Sequence, residues 1–294
     1  MDWLPAAKVA ISLAILILAS RSDWKYREAS DTYWLVLGTA GLGFLAAQMV
    51  IDGADAVFFL ILIPIAILFY DLFWDRKGIF EDGINPVPLG MYAAALVPLG
   101  ALVYLEGSEQ YLWELMIVPI LFVIFVVMYY LDLIKGGADA KALIALSIMF
   151  PLYPVMGPFP LIAMPSGLSQ LVIPFPIVVL FTAALLSLAV PVALFFLNLA
   201  RGDRKFPAMF LGHQMPLAEA KKKFVWPMER VEEGARKFTM FPKGAEDTAA
   251  QLEALEAAGA DRIWVTPQVP FLIPITAALL FSAVVGNVFF LFLG

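Results

Sequence analysis

Residues 171–199 read LVIPFPIVVLFTAALLSLAVPVALFFLNL, a run without a single charged side chain. One charge at the centre of a bilayer costs roughly 2.5–3.5 kcal/mol on insertion scales, so a run this long and this apolar reads as a membrane-spanning helix. A barrel strand would instead alternate apolar and polar residues over about ten positions. Working outward, further apolar runs occupy Trp3–Ser20, Thr32–Ile51, Ala56–Phe73, Val87–Leu105, Leu112–Ile134, Ala142–Met156 and Gln268–Leu293. The uncharged stretch from Ala142 to Ala200 is divided into two spans by Pro151, Pro154, Pro158, Pro160 and Pro165 with Gly157 and Gly167. The expected fold is therefore an all-α polytopic membrane protein with about eight transmembrane helices.

Composition points the same way. The 294 residues are 62% hydrophobic and 15% charged, against roughly 45–50% apolar content in a soluble domain. The chain has no cysteine and one histidine, His213, which removes disulfides, thiolate nucleophiles and Cys- or His-based metal clusters. No cofactor and no metal are expected, and His213 is read as an ordinary surface residue. A net charge of −6 argues against a nucleic-acid partner, which calls for a basic patch.

Alternating the spans from an outside N-terminus puts residues 21–31, 74–86, 135–141 and 200–266 on one side. Every Lys and Arg except Lys8 then falls there, while the opposite loops carry acids or no charge. By the positive-inside rule that side is the cytoplasm. The first run opens with Asp2, contains Lys8 and leads into Arg21, so it is read as a retained anchor rather than a cleaved signal. The expected organisation is a membrane domain over 1–199, a cytoplasmic insert over 200–266 and a final span over 267–294. Within the insert, Ala245–Ala258 has helical periodicity ended by Gly259, and the flanking Lys237–Phe241 and Ile263–Thr266 read as short strands. This predicts a small α/β appendage. Lys221, Lys222 and Lys223 read as a solvated face, with attraction to anionic lipid as the alternative.

Chemistry must come from carboxylates. Most boundary acids, such as Asp71, Asp75, Asp132 and Asp203, read as helix termini. Two have unusual surroundings: Asp23 in Ser22-Asp23-Trp24-Lys25-Tyr26-Arg27-Glu28, and Asp139 in Lys135-Gly136-Gly137-Ala138-Asp139-Ala140-Lys141. The topology places both at the cytoplasmic boundary although they are remote along the chain. A Gly136-Gly137-Ala138 stretch allows close backbone approach and φ > 0 where a span begins. A flexible turn followed by an Asp N-cap would explain it equally well.

Gly136-Gly137-Ala138-Asp139-Ala140-Lys141 resembles the Gly-x-Gly-Asp-x-Lys signature of the type IV prepilin and archaeal preflagellin peptidases, which are membrane aspartyl proteases. The Asp23–Glu28 segment, followed by Asp31 and Trp34, is similar to that family's first-aspartate motif. Thr266-Pro267-Gln268-Val269-Pro270-Phe271 is similar to the entry into the last helix of archaeal members. The departures are Ala138 in place of the second glycine and two additional spans between the aspartates. The absence of CxxC motifs favours an archaeal-type member without the bacterial enzymes' zinc loop or methylation. The resemblance implies Asp23 and Asp139 as the catalytic pair and a basic leader peptide cut from pilin-like or archaellin precursors, in a prokaryotic, archaeal cell membrane. Lys141, Lys25 and Arg27 are candidate orienting residues, with interfacial anchoring of the spans the simpler reading of both lysines. Pro267 and Pro270 are read as starting the final span, or as a loop leaning on the site. Glu28, Asp31, Glu81 and Asp82 are candidate leader contacts.

Two carboxylates about 4 Å apart repel by roughly 4 kcal/mol at an effective dielectric of about 20, equivalent to about three pKa units, so such a pair shares one proton near neutral pH. Helix dipoles predict that Asp23, ending a helix, holds it more often than Asp139, which begins one. Two other readings stand beside this one. A signal-peptide-peptidase or presenilin-like protease would carry Tyr-Asp one span earlier, whereas Tyr130-Leu131-Asp132 has an intervening residue and lies too close to Asp139. A proton- or cation-coupled transporter would place such acids near the midplane. Membrane lipid is a partner in every case.

Overall fold

The computed structural model describes residues 3–81, 83–162, 173–232, 234–242 and 248–291. Pro165 and Gly167 of the expected break, Asp82, Leu171, Ala245 and Leu293 lie outside the described residues, as does Asp2. The chain forms two compact units, Met1–Ala184 with Pro270–Gly294, and Leu185–Val269.

The first unit is helical. It contains α1 (Trp3–Tyr26), α2 (Asp31–Ile51), a 3-10 turn (Ala56–Ile61) running into α3 (Leu62–Asp71), α4 (Pro86–Glu106), α5 (Gln110–Tyr130), α6 (Gly137–Met149) and α7 (Phe175–Ser187). The division between the units falls inside α7, after Ala184, and α8 (Ala189–Arg201) belongs to the second unit. Local chemistry sets several boundaries. Ser30 Oγ accepts the Thr32 N–H at the start of α2, and Asn85 accepts the Val87 N–H ahead of Pro86 at the start of α4. Gly202 takes the left-handed conformation that closes α8.

Five helices among the described residues are long and apolar enough to cross a membrane: Trp3–Tyr26, Asp31–Ile51, Pro86–Glu106, Gln110–Tyr130 and Phe175–Arg201. The remaining three expected spans are shorter helices. Ala56–Asp71 begins as a 3-10 turn. The run from Ala142 yields only α6, which stops at Met149 ahead of Pro151. The final run is α11 (Leu272–Val284), broken before α12 (Val288–Leu291).

Helix α6 is the centre of this unit. From Asp139 to Met149 every residue except Lys141 is buried, and α2, α5 and α3 pack around it. Gly41 lets the α2 backbone approach closely, since a Cβ there would stand 3.0 Å from the Met149 amide nitrogen. Gly38 likewise faces the Phe69 ring of α3, which fills the place a side chain would occupy. On the other flank α1 packs against α2 and α11, with Ser20 and Thr276 hydroxyls hydrogen-bonded at 2.8 Å. After α6 the chain runs irregularly through 150–162. There the Tyr153 hydroxyl donates to Ser282 O at 2.6 Å, and the Leu161 and Ile162 N–H groups donate to Val284 and Val285 carbonyls.

The second unit is α/β. Strands β1 (His213–Pro216), β5 (Arg262–Pro267) and β2 (Val225–Pro227) form an antiparallel sheet with β5 central, and β3 (Glu229–Glu232) pairs with β4 (Ala235–Phe238). Short α9 (Leu217–Ala220) and α10 (Thr248–Ala257) complete it. Leu252 and Leu255 of α10 pack with Met215, Ile263 and Val265 of the sheet. The helix expected from Ala245 is thus α10. The strand expected at Lys237–Phe241 starts two residues earlier and sits in a different sheet from the one at Ile263–Thr266. Asn198 of α8 donates to both Met209 O and Gly212 O, at 2.8 and 2.6 Å, fixing β1 to the helix end.

Gly38→Ala must displace the Phe69 ring, so this variant loses about 1–3 kcal/mol and unfolds at lower temperature in detergent. Gly43→Ala meets open space and keeps the parental midpoint or exceeds it. Equal midpoints for the two variants would remove the close approach of α2 and α3 from the account.

Candidate active site

Helices α2 and α6 run side by side in the same direction, because Asp31 meets Lys141 near their starts and Gly41 meets Ile148 and Met149 further along. Helix α1 ends only a short turn before α2 begins. Asp23, in the last turn of α1, and Asp139, in the first turn of α6, therefore lie at the same end of the helical unit. Their side chains are close enough for the charge of Asp23 to act on the Asp139 carboxyl.

The turn after α1 is tightly held. Arg27 adopts a left-handed φ of 58°, its N–H donates to Asp23 O at 2.9 Å, and Ser22 Oγ donates to Glu28 O. The Arg27 guanidinium folds back over the Trp24 ring, 5.6 Å from its centroid, and lies within electrostatic reach of Asp23.

Asp139 is 9% exposed, and burial, reinforced by the charge of Asp23, raises its carboxyl to about 7. Asp23 is only half-buried. The order predicted from helix dipoles is thus reversed. A macrodipole is worth roughly 0.3–1 kcal/mol, whereas removing a carboxylate from water costs several kcal/mol, and Asp139 is the acid deeper in protein.

The glycines act differently from the sequence expectation. Gly136 is the N-cap of α6 with φ −93°, not a left-handed residue. A Cβ on it would collide with the Asp139 carboxylate oxygen Oδ2, so its missing side chain is the space the acid occupies. Gly137 is less constrained: a Cβ there would lie 3.6 Å from the Tyr129 hydroxyl, an ordinary contact. Ala138 fits the same first turn, half-buried beside the core. Asp139 is not the N-cap.

Lys141 bonds Asp31 Oδ1 at 2.6 Å and stands 4.9 Å over the Phe73 ring, so it ties α6 to the start of α2 and to the residues just after α3. Asp31 is engaged there rather than free for a leader. Lys25 is exposed, with its ammonium 4.8 Å over the Tyr26 ring. Glu81 accepts the Gly78 N–H within its own loop, and Glu28 is exposed. Pro267 does not start the final helix: it ends β5, opposite Val225. Pro270 is buried just ahead of α11. Asp132 takes a left-handed φ of 56° after α5, as a helix-terminus acid does. Tyr129 and Phe73 were not anticipated. Their only sequence signal is aromatic placement beside the charged loops. No group of three or more acidic or imidazole side chains suited to a metal occurs among the described residues.

A polytopic helical protein with two carboxyl groups within electrostatic reach of each other at one end of its helices, in a chain that also folds a small α/β unit, is the class that fold and site define. The family model described as the C-terminus of archaeal peptidase A24, type II, matches residues 204–288, which cover most of the insert and α11 and include neither aspartate. Preflagellin peptidase of Methanocaldococcus jannaschii is 31% identical over 159 residues, covering 52% of this chain and 63% of that protein. Preflagellin peptidase of Methanococcus maripaludis is 29% identical over 280 residues, covering 92% of each. A third, from Methanococcus voltae, is 28% identical over 176 residues. These matches support the archaeal preflagellin peptidase family for this chain, as the two aspartate motifs led one to expect.

The raised carboxyl has a signed consequence. Because Asp139 binds its proton more tightly folded than unfolded, stability falls as pH rises from the unfolded carboxylate value, about 4, to about 7. Asp139→Asn removes that loss: its thermal midpoint exceeds the parent's at pH 8, and the gap closes toward pH 4. A constant gap across that range would refute the burial argument. Gly136→Ala displaces the carboxyl and alters this pH profile, whereas Gly137→Ala leaves it unchanged.

Proposed function

We propose that this protein is an aspartyl endopeptidase that removes the basic leader from pilin-like or archaellin precursors at the cytoplasmic face of the membrane. The observation that carries this reading is the pairing of a buried acid raised to about 7, Asp139, with a second, more accessible acid whose charge reaches it. Two such carboxyls hold one proton between them at neutral pH, as aspartic dyads do. Asp139, the better shielded, carries the proton and hydrogen-bonds the scissile carbonyl. Asp23, ionised, takes a proton from water as its oxygen attacks the carbonyl carbon. Collapse of the tetrahedral intermediate breaks the C–N bond, and the departing amine receives a proton from the dyad.

Placement supports the substrate class. Both acids sit where apolar helix gives way to charged loop, the depth at which a precursor's hydrophobic segment meets its basic leader. Every Lys and Arg but Lys8 lies on that side by the span parity, which makes it the cytoplasm. A transporter has less support, because the acids stand at helix ends rather than at mid-depth. The Gly136 backbone, bare of a side chain, borders the Asp139 carboxyl where an extended peptide would have to approach.

Purified protein in detergent, incubated with several pilin-like precursors bearing Lys or Arg before the cut, yields shortened products. Asp23→Asn and Asp139→Asn each reduce cleavage by about a thousandfold or more while retaining folded protein. Substantial cleavage by either variant, or ion flux in proteoliposomes without any peptide cleavage, would end this proposal.

A further inference from the structure

The α/β unit holds a cavity of about 610 Å³ that the peptidase reading does not use. It is lined by Arg201, Lys223 and Arg262, by the acids Asp203 and Glu219, and by His213. Lys223 bonds Glu219 at 3.0 Å. Neither Arg201 nor Arg262 has an ion-pair partner among the described residues, and these two guanidinium groups leave the lining net positive against Asp203. His213 is half-buried, and its Nδ1 is buried without a hydrogen-bond partner among the described residues. Burial first, then the charges of Arg201 and Lys223, lower its pKa and favour the neutral imidazole. A second cavity of about 630 Å³ adjoins the first, sharing Asp203 and Gln214, and adds Arg204 and Lys205 to its walls.

Position narrows the ligand. Arg201 is the last residue of α8 and of the apolar helix Phe175–Arg201, and Asn198, one turn back, clamps the strand unit to that helix end. The cavity therefore lies at the depth of lipid headgroups. Guanidinium forks match phosphate oxygens in geometry and charge. We propose that this cavity is a phosphate-binding site, held chiefly by Arg201 and Arg262 with His213 as an added hydrogen-bond partner, and occupied by an anionic lipid headgroup or by free phosphate.

His213 is the only histidine in the chain, so histidine-labelled full-length protein prepared with a histidine-free tag gives one imidazole signal that reports on the cavity. At fixed pH and ionic strength, inorganic phosphate shifts this signal saturably. Arg201→Gln with Arg262→Gln weakens half-saturation by about tenfold or more. Lys221→Gln, which breaks only the pair with Glu256 outside the cavity, leaves it unchanged. Arg262→Gln alone, at an exposed position on β5, gives the same reading in the same direction if the double variant does not fold.

Nanodiscs separate the sources. If the headgroup is the ligand, phosphatidylglycerol discs hold the signal at its saturated position and phosphatidylcholine discs do not. If free phosphate is the ligand, both discs give the unshifted signal until phosphate is added. No shift with either probe, or an equal shift in the arginine variants, overturns the site. Precursor cleavage by these variants stays at the parental level, so this result is independent of the dyad.

Discussion

Shielding of one carboxyl group from water, at the head of a helix that is itself enclosed by protein, is the constraint on which the rest of the helical unit depends. Asp139 can sit there only because Gly136 leaves room for its oxygens and because α2, α3 and α5 close around α6. A buried carboxylate is costly, so the group retains its proton into the neutral range, and the Asp23 charge reinforces that tendency. The packing that surrounds α6 and the electrostatics of the proposed dyad are therefore one arrangement seen at two scales.

The end that carries the two acids is held by polar contacts that apolar packing could not supply. Lys141 joins α6 to α2 through Asp31 and rests on Phe73 after α3, while Arg27 turns the chain back at the foot of α1. A second clamp lies between α3 and α4, where the Arg76 guanidinium binds both oxygens of Asp71 and is shared with the Tyr92 hydroxyl. Exposed ion pairs are worth little singly. The Arg76–Asp71 pair, with both side chains largely covered and bidentate, is of the stronger kind. These contacts set relative positions among helices whose apolar faces, taken alone, would slide.

The helical architecture was legible because charge-free runs of this length have few alternatives, and the two acids stood out because glycine and charge surrounded them. What escaped was anything decided by three-dimensional enclosure. Dipole reasoning ranked Asp23 as the proton holder because position along a helix can be read from sequence and depth within the bundle cannot. Gly136 was read as permitting a positive φ and close backbone approach, whereas its φ is −93° and the space it leaves is filled by the Asp139 carboxyl. Strands β1, β2 and β3 are three or four residues long and include Pro216, Pro227 and charged positions, which blurs any alternation. Asn198 carried a faint signal, a lone amide inside an apolar run, whose meaning emerged only when its two carbonyl partners were in place.

The brevity of α6 has a consequence for the backbone that follows it. Thirteen residues rise about 20 Å, well short of the roughly 30 Å of hydrocarbon in a typical bilayer. Non-helical backbone at that depth is tolerated only where protein covers it or water reaches it. The segment 150–162 meets this condition by lending its amides and the Tyr153 hydroxyl to the carbonyls that α11 leaves open at its end. A short core helix and a broken final helix thus complete each other's hydrogen bonding. That shared cap closes the helical unit at the end remote from the two acids.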